Sequence, residues 1–108
     1  MYVRNVTFRI KANMQPDYIH IFETQILPLL RKQKGFKEEI TLCNPNSPEA
    51  VSISLWEHKS DADDYNTRIY PEVLKMLAKT IDGTPRVHTF ETVFSSFHNV
   101  PANVPAFA

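Results

Sequence analysis

Glycine is scarce in this chain: Gly35 and Gly83 are the only two in 108 residues. Phosphate-cradling loops, dinucleotide turns and nucleophile elbows each need glycines close together, so none of these chemistries is available. Cysteine is scarcer still. Cys43 stands alone, which excludes an internal disulfide and a secreted disulfide scaffold, and it reads as a small residue on a strand. An excess of either charge is also missing, with 12 Lys and Arg against 12 Asp and Glu. Nothing is left over to neutralise phosphates, which argues against nucleic acid as a partner, and a near-zero net charge favours self-association. Long apolar runs are absent too. Arg4, Arg9 and Lys11 interrupt the N-terminus, which therefore does not read as a signal peptide. The longest charge-free stretch, Thr92 to Ala108, contains Pro101 and Pro105 and too few apolar residues to span a bilayer. The cytoplasm is the expected location.

What remains is one ordinary globular domain, with 43 % hydrophobic and 22 % charged residues. Residues 2 to 12 alternate, Val6, Phe8 and Ile10 against Asn5, Thr7, Arg9 and Lys11, the period of a half-buried strand. Pro16 and Asp17 suit a first helical turn, and Ile19, Phe22, Ile26, Leu29 and Leu30 continue at helical spacing to about Gln33. Pro28 removes one backbone bond there and predicts a kink near Thr24. Gly35 suits a left-handed C-cap. Strands follow over Phe36 to Cys43 and about Glu49 to His58, joined through the turn formers Asn44 to Pro48. Ser60 reads as the N-cap of a second helix reaching Ile81, broken into two pieces by Pro71. Asp82 to Pro85 reads as a turn, Val87 to His98 as a final strand of undecided facing, and 99–108 as an extended tail beyond a domain over 1–98.

The order strand, helix, strand, strand, helix, strand predicts a ferredoxin-like α+β fold, a four-stranded antiparallel sheet with both helices on one face. The aliphatic sets Val6/Phe8/Ile10, Ile40/Leu42 and Val51/Ile53/Leu55 are expected under the helices. That assigns Asn5, Thr7, Arg9, Thr41, Cys43, Ser52, Ser54, Trp56 and His58 to the opposite face. Such a face, rich in hydroxyls with an amide, a tryptophan and a histidine, suits cover by a second copy enclosing a semi-polar cavity. Arg9 is placed to pair with Glu39 across the sheet or to anchor an anionic substrate. Tyr65 and Tyr70, five apart, are not expected to share a helix face, and Tyr65 is the expected pocket member. His20, His88 and His98 show no metal-ligand spacing, so no metal site is expected.

Lys34-Gly35-Phe36, Ser54-Leu55-Trp56-Glu57, Ala62 with Tyr65, and Thr89-Phe90-Glu91-Thr92-Val93 together resemble the antibiotic biosynthesis monooxygenase-like domains of the dimeric α+β barrel superfamily. The resemblance runs to about His98. It implies a homodimer, a pocket between sheet and helices or at the barrel mouth, and O₂-dependent oxidation of a phenolic or quinol-type molecule with no cofactor. On that reading His58 is the base, Asn5 and Arg9 orient oxygens, and Trp56, Tyr65 and Ser54 line the pocket. A haem-degrading branch of the superfamily uses a first-strand asparagine, matched here by Asn5, but its iron-binding histidine has no counterpart between Ser60 and Ile81. The alternative class is a non-catalytic ligand-binding or dimeric assembly module whose cavity is filled by side chains.

Overall fold

A computed structural model describes residues 1–97. The N-terminal alternation forms β1, Tyr2–Ile10, whose buried face carries Tyr2, Arg4, Val6, Phe8 and Ile10. Pro16 sits in the first turn of α1, Gln15–Ile21, where its missing N–H loses nothing. A π-helical turn, Phe22–Ile26, then leads into α2, Leu27–Arg31. Here the expected kink takes a specific form. The chain accommodates Pro28 by adding a residue to the preceding turn, so that the Leu27 N–H bonds the Phe22 carbonyl. The Thr24 hydroxyl donates to the His20 carbonyl at 2.7 Å. The extra residue also rotates the buried stripe. Tyr18 and Ile21 join Ile26 and Leu30 in the core, while Ile19, expected there, is exposed.

Gly35 takes φ 79° and turns the chain into β2, Phe36–Cys43, followed by β3, Glu49–Trp56. Helix α3, Lys59–Arg68, is preceded by His58 in extended backbone, so the N-cap is His58 rather than the expected Ser60. The break predicted from Pro71 falls at Ile69, after which α4 runs Tyr70–Leu77 and a 3₁₀ turn covers Ala78–Thr80. β4 spans Ile81–Glu91, starting earlier than expected. Asp82 to Pro85, read as a turn, lies within the strand, where the pairing with β1 slips between Thr7 and Arg9 and Gly83 takes φ 68°. His98 and the tail over 99–108 lie outside the described residues.

The sheet order is β2-β3-β1-β4, with every neighbouring pair antiparallel. With the helices packed against one face, this is the ferredoxin-like α+β fold. No helix among the described residues is long and apolar enough to cross a membrane.

Two strands face the opposite way from the sequence expectation. Ala50, Ser52, Ser54 and Trp56 turn towards the helices, and Val51, Ile53 and Leu55 turn away. In β2 the inward set is Glu39, Thr41 and Cys43, while Ile40 and Leu42 are 51 % and 48 % exposed. A register shift between Phe36 and Glu38 sets the phase of β2, letting Phe36 stay against the core while Ile40 points out. On β3 size decides. Trp56 has the largest apolar surface to bury, and its side chain is 0 % exposed. The pairing also fixes β4: Val87 lies opposite Val6 on the helix side, and His88 and Phe90 lie opposite Asn5 and Val3 on the outer side.

Candidate functional site

One row of side chains crosses the helix-facing side of the sheet. Glu39 on β2 pairs in register with Ser54 on β3, and Ser54 pairs with Arg4 on β1. Neighbouring strands lie about 4.8 Å apart, so a carboxyl group and a guanidinium face the helices from backbone positions about 10 Å apart with a small hydroxyl between them. The helices complete a partly open cavity above this row, lined by Tyr18 and Phe22 from the first helical stretch and by Tyr65, Tyr70 and Leu74 from α3 and α4. The space open to the centre of a water molecule is about 40 Å³. That is room for a few waters, not for an aromatic ring.

Arg4 is 3 % exposed. Its guanidinium lies 5.0 Å from the Tyr65 ring centre and 4.5 Å from that of Tyr70, and one amino group donates to Asn66 Oδ1 at 2.9 Å. Its Nε–H is buried without a partner, and none of the ion pairs among the described residues includes it. Burial pulls the guanidinium below its usual range, opposed by Tyr65, Tyr70 and, more weakly, Glu39. The two tyrosines meet because the chain breaks at Ile69. Sequence spacing on one continuous helix would separate them, yet their ring centres are 6.2 Å apart.

Glu39 is held from below. Thr41 Oγ1 donates to Oε1 at 2.7 Å, and Ser52 Oγ lies 3.0 Å from both carboxylate oxygens. Burial pushes the carboxyl up to about 7 despite these hydrogen bonds and the charge of Arg4. Tyr18 and Tyr65 are likewise raised by burial, as is Tyr70 against the opposing pull of Arg4.

The raised Glu39 carboxyl has a stability consequence. The folded state holds its proton more tightly than the unfolded chain, where the carboxyl titrates near 4.5. Its contribution is therefore neutral below that value and becomes unfavourable as pH rises through about 7. Glu39→Gln is expected to be the more stable protein at pH 8, by on the order of 2 kcal/mol, with the gain vanishing near pH 4. Urea unfolding at the two pH values checks this. An equal gain at both would show that charge burial is not its source.

The residues expected at the site are divided by the fold. Ser54 and Tyr65 line the cavity. Trp56 packs behind them, its Nε1–H donating to Ser54 Oγ at 2.9 Å and its ring 5.0 Å from Tyr65 and 5.6 Å from Phe36. His58 is exposed at the start of α3, because β3 ends at Trp56 and the chain turns outward there. Asn5 and Arg9 lie on the outer face of the sheet, away from the cavity. Arg9 pairs with Glu49 at 3.9 Å, not with Glu39, which is on the other side. Arg4, Glu39, Tyr18 and Tyr70 were missed. The signal for Arg4 lay in its phase, since it falls in step with Val6, Phe8 and Ile10 on the core side of β1.

The four-stranded antiparallel sheet with two helical stretches on one face is a fold shared with solved structures of antibiotic biosynthesis monooxygenases. Among solved structures, the chain is similar to SnoaB, described as a cofactor-independent oxygenase from Streptomyces nogalater, at 12 % identity and TM-score 0.72, covering 88 % of this chain and 95 % of that one. The ActVA-Orf6 monooxygenase of Streptomyces coelicolor, solved with Nanaomycin D, matches at 16 % identity and TM-score 0.69 over 82 % of this chain and 84 % of that one. A candidate antibiotic biosynthesis monooxygenase of Bordetella bronchiseptica matches at 15 % identity and TM-score 0.71 over 86 % and 98 %. At these identities the likeness is one of fold. No family model matches the sequence. No curated protein matches it either.

Proposed function

We propose that this chain is a cofactor-independent, monooxygenase-like protein acting on a small aromatic or quinol-type molecule held between the sheet and the helices. The aromatic-lined cavity between sheet and helices carries the reading, and two neighbours of the same fold support it, one described as a cofactor-independent oxygenase and one solved with Nanaomycin D. In such chemistry the substrate supplies the electrons. An activated ring CH₂ reacts with O₂, one oxygen atom becoming the ring carbonyl and the other leaving as water. The protein's part is to exclude solvent, hold the ring and take up a proton. Entry of a ring requires α4 to swing outward about the break at Ile69, since the half-buried Tyr70 and Leu74 roof the cavity.

Oxygen consumption with a panel of hydroquinones and anthrones tests the proposal. Uptake above the uncatalysed rate, lost in Tyr65→Ala, is the expected result. A panel with no uptake would sink it. That outcome would leave a non-catalytic module as the better reading, which the small volume of the cavity favours.

The same proposal includes a homodimer. Ile40, Leu42 and Phe90, about half exposed, form with Val51, Ile53 and Leu55 an apolar outer sheet face that a second copy would cover. The facing found for β2 and β3 makes this face more apolar than the sequence suggested. Changing Ile40 and Leu42 together to glutamate is expected to give a folded monomer by light scattering, with an unchanged circular dichroism spectrum. A parent protein that is already monomeric at micromolar concentration would end the dimer proposal.

A further inference from the structure

The cavity has a charge problem that its own side chains do not solve. A guanidinium within it donates to the Asn66 amide oxygen, meets the Tyr70 side chain and lies over two tyrosine rings, but among the described residues it has no carboxylate within ion-pair distance. A cation this deep usually has an anion beside it. The acid facing the same space is Glu39, two strands away across Ser54 and tied to Thr41 and Ser52 instead. The gap between them lies under the cavity.

We infer that the cavity recognises a small aromatic anion, a carboxylate or phenolate on a flat ring, which sets its charge against Arg4 while Glu39 takes up one proton. The inference rests on the ligand cavity proposed above and adds the charge and proton stoichiometry of what enters it. An incoming anion supplies the missing counter-charge and an acceptor for the orphaned Nε–H of Arg4. It also places a second negative charge near the Glu39 carboxylate, which favours the protonated acid. Neutral Glu39 then keeps Thr41 and Ser52 as partners and can donate its own O–H towards the ligand.

The surroundings single out Glu39 for the proton. The groups facing it are Arg4 from β1, Tyr18 from α1, and Tyr65 and Tyr70 from α3 and α4, with the Cys43 thiol on its own strand face. Arginine stays cationic, and the three phenols are all pushed up, away from neutrality. His20, His58 and His88 are exposed and do not line the cavity. Cys43→Ser provides the control for the thiol.

Titration calorimetry with benzoate, 4-nitrophenol and the neutral benzyl alcohol, in buffers of different ionisation enthalpy, tests the inference. Benzoate stays ionised throughout, so its pH dependence belongs to the protein. Its affinity should be highest at low pH and fall about fivefold between pH 7 and pH 8, with proton uptake approaching one per site at pH 8. In Glu39→Gln the affinity should be flat and the uptake absent, and Cys43→Ser should match the parent. 4-Nitrophenol should bind as its coloured anion. Arg4→Met should keep benzyl alcohol but lose benzoate by at least about tenfold. Because Arg4 belongs to the core, the proton count in Glu39→Gln decides the matter if Arg4→Met does not fold. Benzyl alcohol binding as tightly as benzoate, with no proton uptake, would overturn the inference and leave the cavity standing. If none of the three probes binds, the cavity reading falls with it.

Discussion

Gly35→Ala is expected to lose about 3 kcal/mol of stability and to lower the thermal midpoint by roughly 15 °C. Two independent terms contribute. Gly35 holds φ 79°, where an added Cβ costs about 1–2 kcal/mol on its own. That Cβ would also lie 2.7 Å from Asp61 Cβ, and nearer still to its carboxylate, at the start of α3. Relief by movement is limited on both sides. The Gly35 carbonyl accepts the Glu57 N–H at 2.7 Å, which ties the turn to the end of β3, and Asp61 is itself buried with Oδ2 unpartnered. Overpacking of this kind costs about 1–3 kcal/mol. The share due to the carboxylate can be isolated. Gly35→Ala combined with Asp61→Ala removes the carboxylate but keeps the backbone strain and the approach of the two Cβ atoms, so the pair should be less destabilising than the sum of the two single changes. Urea titrations of the four proteins measure this. A loss below about 1 kcal/mol for Gly35→Ala would mean that the close approach to Asp61 is not a constraint.

Trp56→Ala is expected to cost about 4 kcal/mol, near the upper end for a large aromatic truncated in a core. The ring is fully buried, packed on edge against Phe36 and tilted over Tyr65, and its indole N–H has Ser54 as a buried acceptor. Removing it leaves a void at the floor of the cavity and frees Tyr65, so Arg4 loses part of its support as well. Trp56→Phe keeps most of the packing and loses only the hydrogen bond, so it should cost about 1–2 kcal/mol. If the alanine and phenylalanine variants unfold at the same urea concentration, the packing of this ring is not what holds the layers together.

The element order was readable because each element carries its own local signal. The alternation of β1, the Gly35 turn, the span of β2 and the break near Pro71 all depend on short-range chemistry, and each is present in the structure. Facing is different, because it depends on what covers each side of the sheet. An aliphatic set normally points inward, and β1 obeys, but β2 and β3 carry aliphatics outward and bury a tryptophan, an alanine and hydroxyls instead. One residue of phase moves a whole set of side chains to the other face. That single inversion carried Ser54 and Trp56 to the helix side and left Asn5 and Arg9 outside, so the expected site was split. The deeper site, Arg4 with Glu39, is a long-range product. Its two charged members are 35 positions apart and meet only when β3 lies between them. The Tyr65–Tyr70 pair was hidden for a related reason. Helical spacing separates the two residues, and only the non-helical step at Ile69 turns both rings towards Arg4.

Trp56 is the chain's only tryptophan. Light absorbed at the red edge of the protein's near-ultraviolet band therefore goes to one indole, and all tryptophan emission comes from one place in the fold. That indole is sealed from solvent and touches Tyr65, which lines the cavity. The protein thus carries a built-in optical gauge. Native protein should emit at short wavelength, unfolding should shift the emission to the red, and an electron-accepting ring admitted above Tyr65 should quench it without any label being attached.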